Sequence, residues 1–174
     1  DLCGIVQALT IERKNRGSID LEIPEARIKF SNTGEIENIC RVYRNDAHRL
    51  IEECMLAANL CAARLLEEKS VPALFRLHEE PASEDIVSLR QSLAGLGLTM
   101  SRTVSPSPRD LAEVLCNARN KAVSVDIVQM LLLRSMKQAV YSANKGPHFA
   151  LGYPVYTHFT SPIRRYPDLV VHRL

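Results

Sequence analysis

The chain has 174 residues, 46% of them hydrophobic, 24% charged and 5% aromatic, with no tryptophan. That length suits one domain with a sizeable core, and the balance of apolar and charged residues excludes a disordered chain. No apolar run approaches a bilayer span and no basic-then-apolar leader opens the sequence, so a soluble protein is expected.

The 22 basic and 20 acidic residues leave a net charge of +2, too small to announce a polyanion partner. Any nucleic-acid surface must come from local clustering. Five cysteines, at positions 3, 40, 54, 61 and 116, form neither a CxxC pair nor a Cys/His knuckle. Scattered thiols in odd number point to a reducing, cytoplasmic setting. Position 1 is not Met, and the sequence stops at Val171-His172-Arg173-Leu174 in a helical pattern with no cap signal. Truncation at both ends of a longer protein is the expectation.

In chain order, residues 1–14 predict a short helix ended by Gly17. Alternation over 19–23, 26–30 and 36–39, with a turn at Ser31–Gly34, predicts a small antiparallel sheet with Pro24 at a strand boundary. A long helix follows from about Asn45 to Glu68. Its apolar stripe, Ala47, Leu50, Ile51, Cys54, Met55, Ala58, Cys61 and Leu65, is expected to be buried. Residues 73–77 predict a short strand, and Ser83 caps a helix to about Leu96 with Glu84 and Asp85 in its first turn. Ser-Pro-Ser-Pro makes 99–108 a loop, Asp110 opens a helix to about Ala118, and Val123 to Tyr141 reads as a central helix, apolar nearly all round. The fold class is α+β, mostly helical with a small antiparallel sheet.

The most informative stretch is His158-Phe159-Thr160-Ser161-Pro162-Ile163-Arg164-Arg165-Tyr166-Pro167-Asp168. Thr-Ser-Pro is a helix-start signal, and two arginines in a first turn are electrostatically misplaced unless an anion is held there. Backbone N–H groups with a bidentate guanidinium suit a phosphate. Pro167 offers a second geometry, in which the helix begins at Pro167 and 160–166 form a separate turn. A plainer arrangement pairs one arginine with Asp168 or another acid and leaves the other solvated.

On the long helix, Asn45, His48, Glu52 and Asn59 share a flank. Glu52 could accept from a sugar hydroxyl or pair with His48, its i−4 neighbour. The remaining histidines lack metal-ligand spacing, and Glu67-Glu68 and Glu79-Glu80 read as solvated faces. There is no Gly-rich phosphate loop, no G-x-S-x-G elbow and no tight aspartate cluster of the kind a two-metal nuclease needs.

The run HFTSPIRRYPDLVVH resembles the signature near the end of the catalytic (RNB) domain of the ribonuclease II/ribonuclease R family, with wording nearer the ribonuclease R branch. RNDAHRLIEECMLAAN resembles that family's central helix, and MLLLRSMKQAVY with GPHFALGYPVY the segment before the signature. The resemblance implies that the chain is the C-terminal portion of one such domain. It implies a Mg²⁺-dependent, processive enzyme that hydrolyses RNA from the 3′ end to nucleoside 5′-monophosphates. By position, Arg164 matches the arginine at the scissile phosphate, Arg165 the neighbouring basic position, and Glu52 a residue at the terminal nucleotides. His158, Ser161 and Tyr166 are supporting members of the motif, with Thr160. The family's metal-binding aspartates belong to an earlier motif not found in this sequence, so the isolated chain is expected to be inactive and to self-associate through its truncated face. A non-catalytic RNA-binding or scaffolding module of the same fold stands as the rival reading, and a phosphate-binding regulator unrelated to RNA as a third.

Overall fold

The computed structural model describes residues 2–22 and 25–174, the side chains of Cys3 and Glu25 excepted. Helix α1 (Leu2–Arg16) ends at Gly17, whose φ is 76° and where a Cβ would stand 2.7 Å from that of Arg109. Glycine is required there on both counts. The alternation that follows does not make a strand. Ile19 is buried and donates its N–H to the Ala150 carbonyl, so 18–22 is a linker laid against the 149–151 turn. Ile23, the last residue of that alternating segment, and Pro24, placed at the strand boundary by the sequence, lie outside the described residues. Strands β1 (Glu25–Phe30) and β2 (Ile36–Val42) form the predicted antiparallel hairpin, turned through Ser31–Gly34.

Helix α2 (Asp46–Lys69) is capped by Asn45, whose side chain accepts the His48 N–H while the His48 ring accepts the Asn45 N–H. Such reciprocal bonding satisfies two donors that a helix start leaves orphaned. Its buried residues are Glu53, Leu56, Asn59, Ala63 and Leu66. The apolar stripe instead faces outward: Ile51 is 56% and Leu65 55% exposed, and Cys54 and Cys61 are exposed with them. Periodicity identifies an apolar face, but not what covers it.

Strand β3 (Phe75–Leu77) is followed by α3 (Ser83–Gly95), in which Ser83 is the first helical residue rather than the cap, and Ala82 at the cap makes no side-chain bond. Helix α4 (Pro108–Asn120) starts two residues before Asp110, because Ser107 and Asp110 bond reciprocally around Pro108. Helix α5 (Val125–Ser135) stops six residues short of Tyr141. Met136 turns extended, and β4 (Val140–Ser142) pairs antiparallel with β3, Leu77 opposite Val140. A distant strand partner thus overrides local helical pattern. Val128 and Leu132 of α5 are fully buried, while Ile127, Met130 and Leu133 are largely exposed, so α5 is central on one face only. A single 3₁₀ turn (Phe149–Leu151) precedes α6 (Tyr166–Arg173).

The main core lies among α3, α4 and α5, where Ile86, Leu93, Leu98, Leu111, Val114, Val128 and Leu132 are closed to water. Each such side chain contributes about 1.5–3 kcal/mol of transfer free energy. Smaller clusters join α2 to β3 and Val155, and Leu56 to Tyr153 and Tyr156. The α+β class holds. No described helix is long and apolar enough to cross a membrane.

Candidate functional site

The strap from Tyr153 to α6 is held mainly by buried polar groups. Tyr153 and Tyr156 stack with ring centroids 5.8 Å apart, and the Tyr156 hydroxyl accepts from Asn59 Nδ2 at 2.9 Å. Asn59 Oδ1 accepts the N–H groups of Phe159 and Thr160 at 2.8 and 3.2 Å. Thr157 is fully buried and donates its hydroxyl to the Leu74 carbonyl. His158 Nδ1 lies 2.6 Å from the Tyr141 hydroxyl. Burial, reinforced by the nearby Arg165 charge, lowers the His158 pKa to about 4. At neutral pH the ring is therefore uncharged and serves the strap as a hydrogen-bond partner, not as a cation.

Thr-Ser-Pro does not open a helix here. The Ser161 carbonyl accepts the N–H groups of Arg164 and Arg165 at 3.3 and 3.0 Å, closing one turn, and α6 begins afterwards with Pro167 in its first turn. Of the two geometries the sequence left open, the separate turn is the one found, since a proline inside a helix would break its ladder. Asp168 is fully buried and accepts the Ser161 N–H and an Arg165 guanidinium N–H, both at 2.7 Å. The adjacent arginines are thereby divided. Arg165, its side chain 18% exposed, fastens the turn. Arg164 is exposed and makes no side-chain hydrogen bond or ion pair among the described residues. Tyr166 beside it is 69% exposed.

Glu52 belongs to a different cluster. The Arg13 guanidinium reaches Glu52 at 2.9 Å, Glu53 at 2.7 Å and Asp20 at 3.1 Å. Arg44 bonds Glu52 and, at 2.8 Å, Asp20, while Arg49 meets Glu22 at 2.7 Å. Burial alone would raise the Asp20 pKa, but Arg13 and then Arg44 hold it below the usual carboxylate range. The His48 partner considered for Glu52 is not found, because His48 is turned to the helix cap. Glu52 and the Arg164 turn are linked through α2. Asn59 lies seven residues beyond Glu52, about 10 Å along the axis.

The four acids of this cluster are all engaged by guanidinium groups. Among the described residues, no three or more His, Cys, Asp or Glu side chains are placed to hold a metal ion. Magnesium does not fit these residues as a self-sufficient site. A histidine pair, His78 and His148, lies near the strap with ring centroids 5.0 Å apart. Burial and the neighbouring His78 lower the His148 pKa to about 3, so its ring is uncharged at neutral pH.

Residues 2–174 match the RNB domain family. The chain belongs to that family. Over 173 residues it is 47% identical to ribonuclease R of Escherichia coli (strain K12) and 45% identical to ribonuclease R of Vibrio cholerae. Each match covers 99% of this chain and 21% of the relative, so the chain spans about a fifth of the length of these curated relatives. The apo form of Mycoplasma genitalium RNase R matches with a TM-score of 0.91 at 32% identity, over 97% of this chain and 26% of that one. The same protein in complex with ribose-methylated single-stranded RNA matches over the same shares, also with a TM-score of 0.91. Yeast Ssd1, a pseudonuclease, matches with a TM-score of 0.64 at 26% identity over 75% of this chain and 16% of its own.

Within this RNB domain chain, the sequence singled out the turn but not what holds it. Asp168 was legible as an arginine partner from its i+3 spacing to Arg165. The role of Asn59 had one signal, a lone amide inside the apolar run Ala57–Ala63. Arg13 and Asp20 pair with each other seven positions apart, but no local pattern marked them, since their other partners, Glu52, Glu53 and Arg44, lie 24 to 40 positions away.

Proposed function

We propose that this chain is the C-terminal portion of a single RNB catalytic domain in a cytoplasmic exoribonuclease. The parent processively hydrolyses single-stranded RNA from its 3′ end and releases nucleoside 5′-monophosphates. The observation that carries this reading is Arg164, an exposed guanidinium with no side-chain hydrogen bond or ion pair among the described residues, on a turn fixed by buried polar groups. A free cation carried on an anchored turn suits a phosphate whose charge grows in the transition state. In this reading Arg164 grips the scissile phosphate, Tyr166 flanks the RNA, and Arg165, Ser161 and His158 shape the turn beneath it. Glu52 reaches a terminal ribose by exchanging one of its arginine bonds for a hydroxyl. Any magnesium the parent uses is bound by residues outside those described, and the isolated chain has no turnover of its own.

The test is Arg164→Ala in the intact parent, assayed on a single-stranded oligoribonucleotide. Turnover falls by about 10²–10³-fold, the scale of losing one preorganised charge donor, while RNA binding changes far less. Turnover within a few-fold of the unaltered protein would reject the assignment. A second reading, a non-catalytic RNA-binding module, is favoured by the likeness to a pseudonuclease. RNA retention by the parent without any magnesium-dependent shortening would select it.

A further inference from the structure

We infer that Asn59 is a positioning residue for Arg164, acting from α2 through the backbone of the strap; this deepens the phosphate-gripping role proposed above and rests on it. Asn59 is 3% exposed in mid-helix, where a polar side chain costs stability unless its bonds are made. They are made in a way that defines one orientation. Both lone pairs of Oδ1 are taken by consecutive N–H groups, Phe159 and Thr160, and Nδ2 donates to Tyr156. A flipped amide would point its NH₂ at two N–H donors, so the side chain has one usable setting.

The next N–H along, that of Ser161, goes to Asp168. Three successive backbone donors are therefore fixed by two buried side chains, one from α2 and one from α6. The Ser161 carbonyl then closes the turn on the N–H groups of Arg164 and Arg165. Because the Arg164 side chain makes no hydrogen bond or ion pair among the described residues, its place follows the place of this turn. Asn59 is thus the link by which the long helix sets the position of the backbone that carries the phosphate-binding guanidinium.

The experiment compares Asn59→Leu, Asn59→Asp, Arg164→Ala and the Asn59→Leu/Arg164→Ala pair in the intact parent, measuring kcat, KM and thermal unfolding on one oligoribonucleotide preparation. Asn59→Leu keeps the volume and removes the acceptor, and is expected to lower kcat about 100-fold with KM little changed, the scale of a misplacement near 1 Å. Asn59→Asp still accepts both N–H groups while the Tyr156 hydroxyl turns to donate, and recovers most of that loss. With Arg164 already removed, Asn59→Leu adds less than about twofold, because coupled sites are not additive. Equal losses with and without Arg164, or an Asn59→Asp protein no better than Asn59→Leu at unchanged melting temperature, would overturn the inference. If Asn59→Leu does not fold, Tyr156→Phe, which removes only the acceptor of the amide, decides through the same cycle: coupling to Arg164 supports the inference, additivity ends it. An active Arg164→Ala protein rejects the reading of the site and the positioning with it. An inactive one alongside a fully active Asn59→Leu rejects the positioning alone.

Discussion

Between α3 and α5 the chain buries hydrocarbon, with Leu93, Leu111, Val128 and Leu132 wholly out of water; between α1 and α2 it buries Arg13 and Glu53, whose side chains are 11% and 8% exposed. Around that second interior the apolar residues point outward: Ile5, Ile11, Ile51 and Leu65 are all more than half exposed. One region is stabilised by transfer of apolar surface. The other is held by ion pairs, whose desolvation offsets much of their attraction. What the difference teaches is that the α3–α5 layer is a self-sufficient core, whereas the α1–α2 layer is set up for specific geometry around Glu52 and keeps its apolar face for something else.

The contrast is broken most severely at Leu93. Leu93→Ala opens a cavity among buried apolar side chains, and is expected to cost about 3–5 kcal/mol, a large share of the roughly 5–15 kcal/mol that stabilises a domain. Urea unfolding of the chain followed by circular dichroism measures this. A loss under about 1 kcal/mol would mean the layer is loosely packed, and the comparison would fail on its stronger side. Arg13→Ala comes next. It strands the buried Glu53 carboxylate, for an expected cost of about 2–3 kcal/mol, below the 3–5 of a fully buried pair because Asp20 and Glu52 reach water. Arg13→Met with Glu53→Leu removes both charges and should recover most of that loss, as ion pairs exchanged for hydrocarbon often do. If the double variant is the less stable of the two, the α1–α2 layer depends on its charges for stability as well as for geometry.

The same division explains what could be read from the sequence. Where the interior is apolar and built from consecutive helices, pattern suffices: α3 and α4 were legible, and even the cap shift at Ser107–Asp110 is a local capping motif. Local pattern failed at α5, because the residues from Met136 onward are drawn off by a strand sixty-odd positions earlier, a pairing that no window of sequence contains. On α2 the pattern was real but misassigned. The stripe from Ala47 to Leu65 is apolar, yet the inner face is the one carrying Glu53 and Asn59. At the site, the turn bearing Arg164 was visible as a motif, and the fate of Arg165 was among the arrangements the residues allowed. Glu52 was harder, since its partner Arg13 is brought in by the packing of α1 on α2.

The smallest effect on stability, and the sharpest test of the weaker side, belongs to that outward stripe. Ile51→Lys and Leu65→Lys should each leave unfolding of the isolated chain within about 0.5 kcal/mol, because residues more than half exposed have little to lose. Their consequence lies in association. The chain spans about a fifth of its ribonuclease R relatives, and we propose that the remaining part of the domain covers this stripe in the parent. In the isolated chain the same stripe is then bare, an apolar patch of the kind that drives self-association. Sedimentation velocity should show concentration-dependent oligomers of the unaltered chain that the two lysines abolish, while in the parent those lysines lower the melting temperature. Were the isolated chain destabilised by 2 kcal/mol or more, on the scale of a buried side chain, the stripe would already be packed within it, and α2 would have two inner faces instead of one.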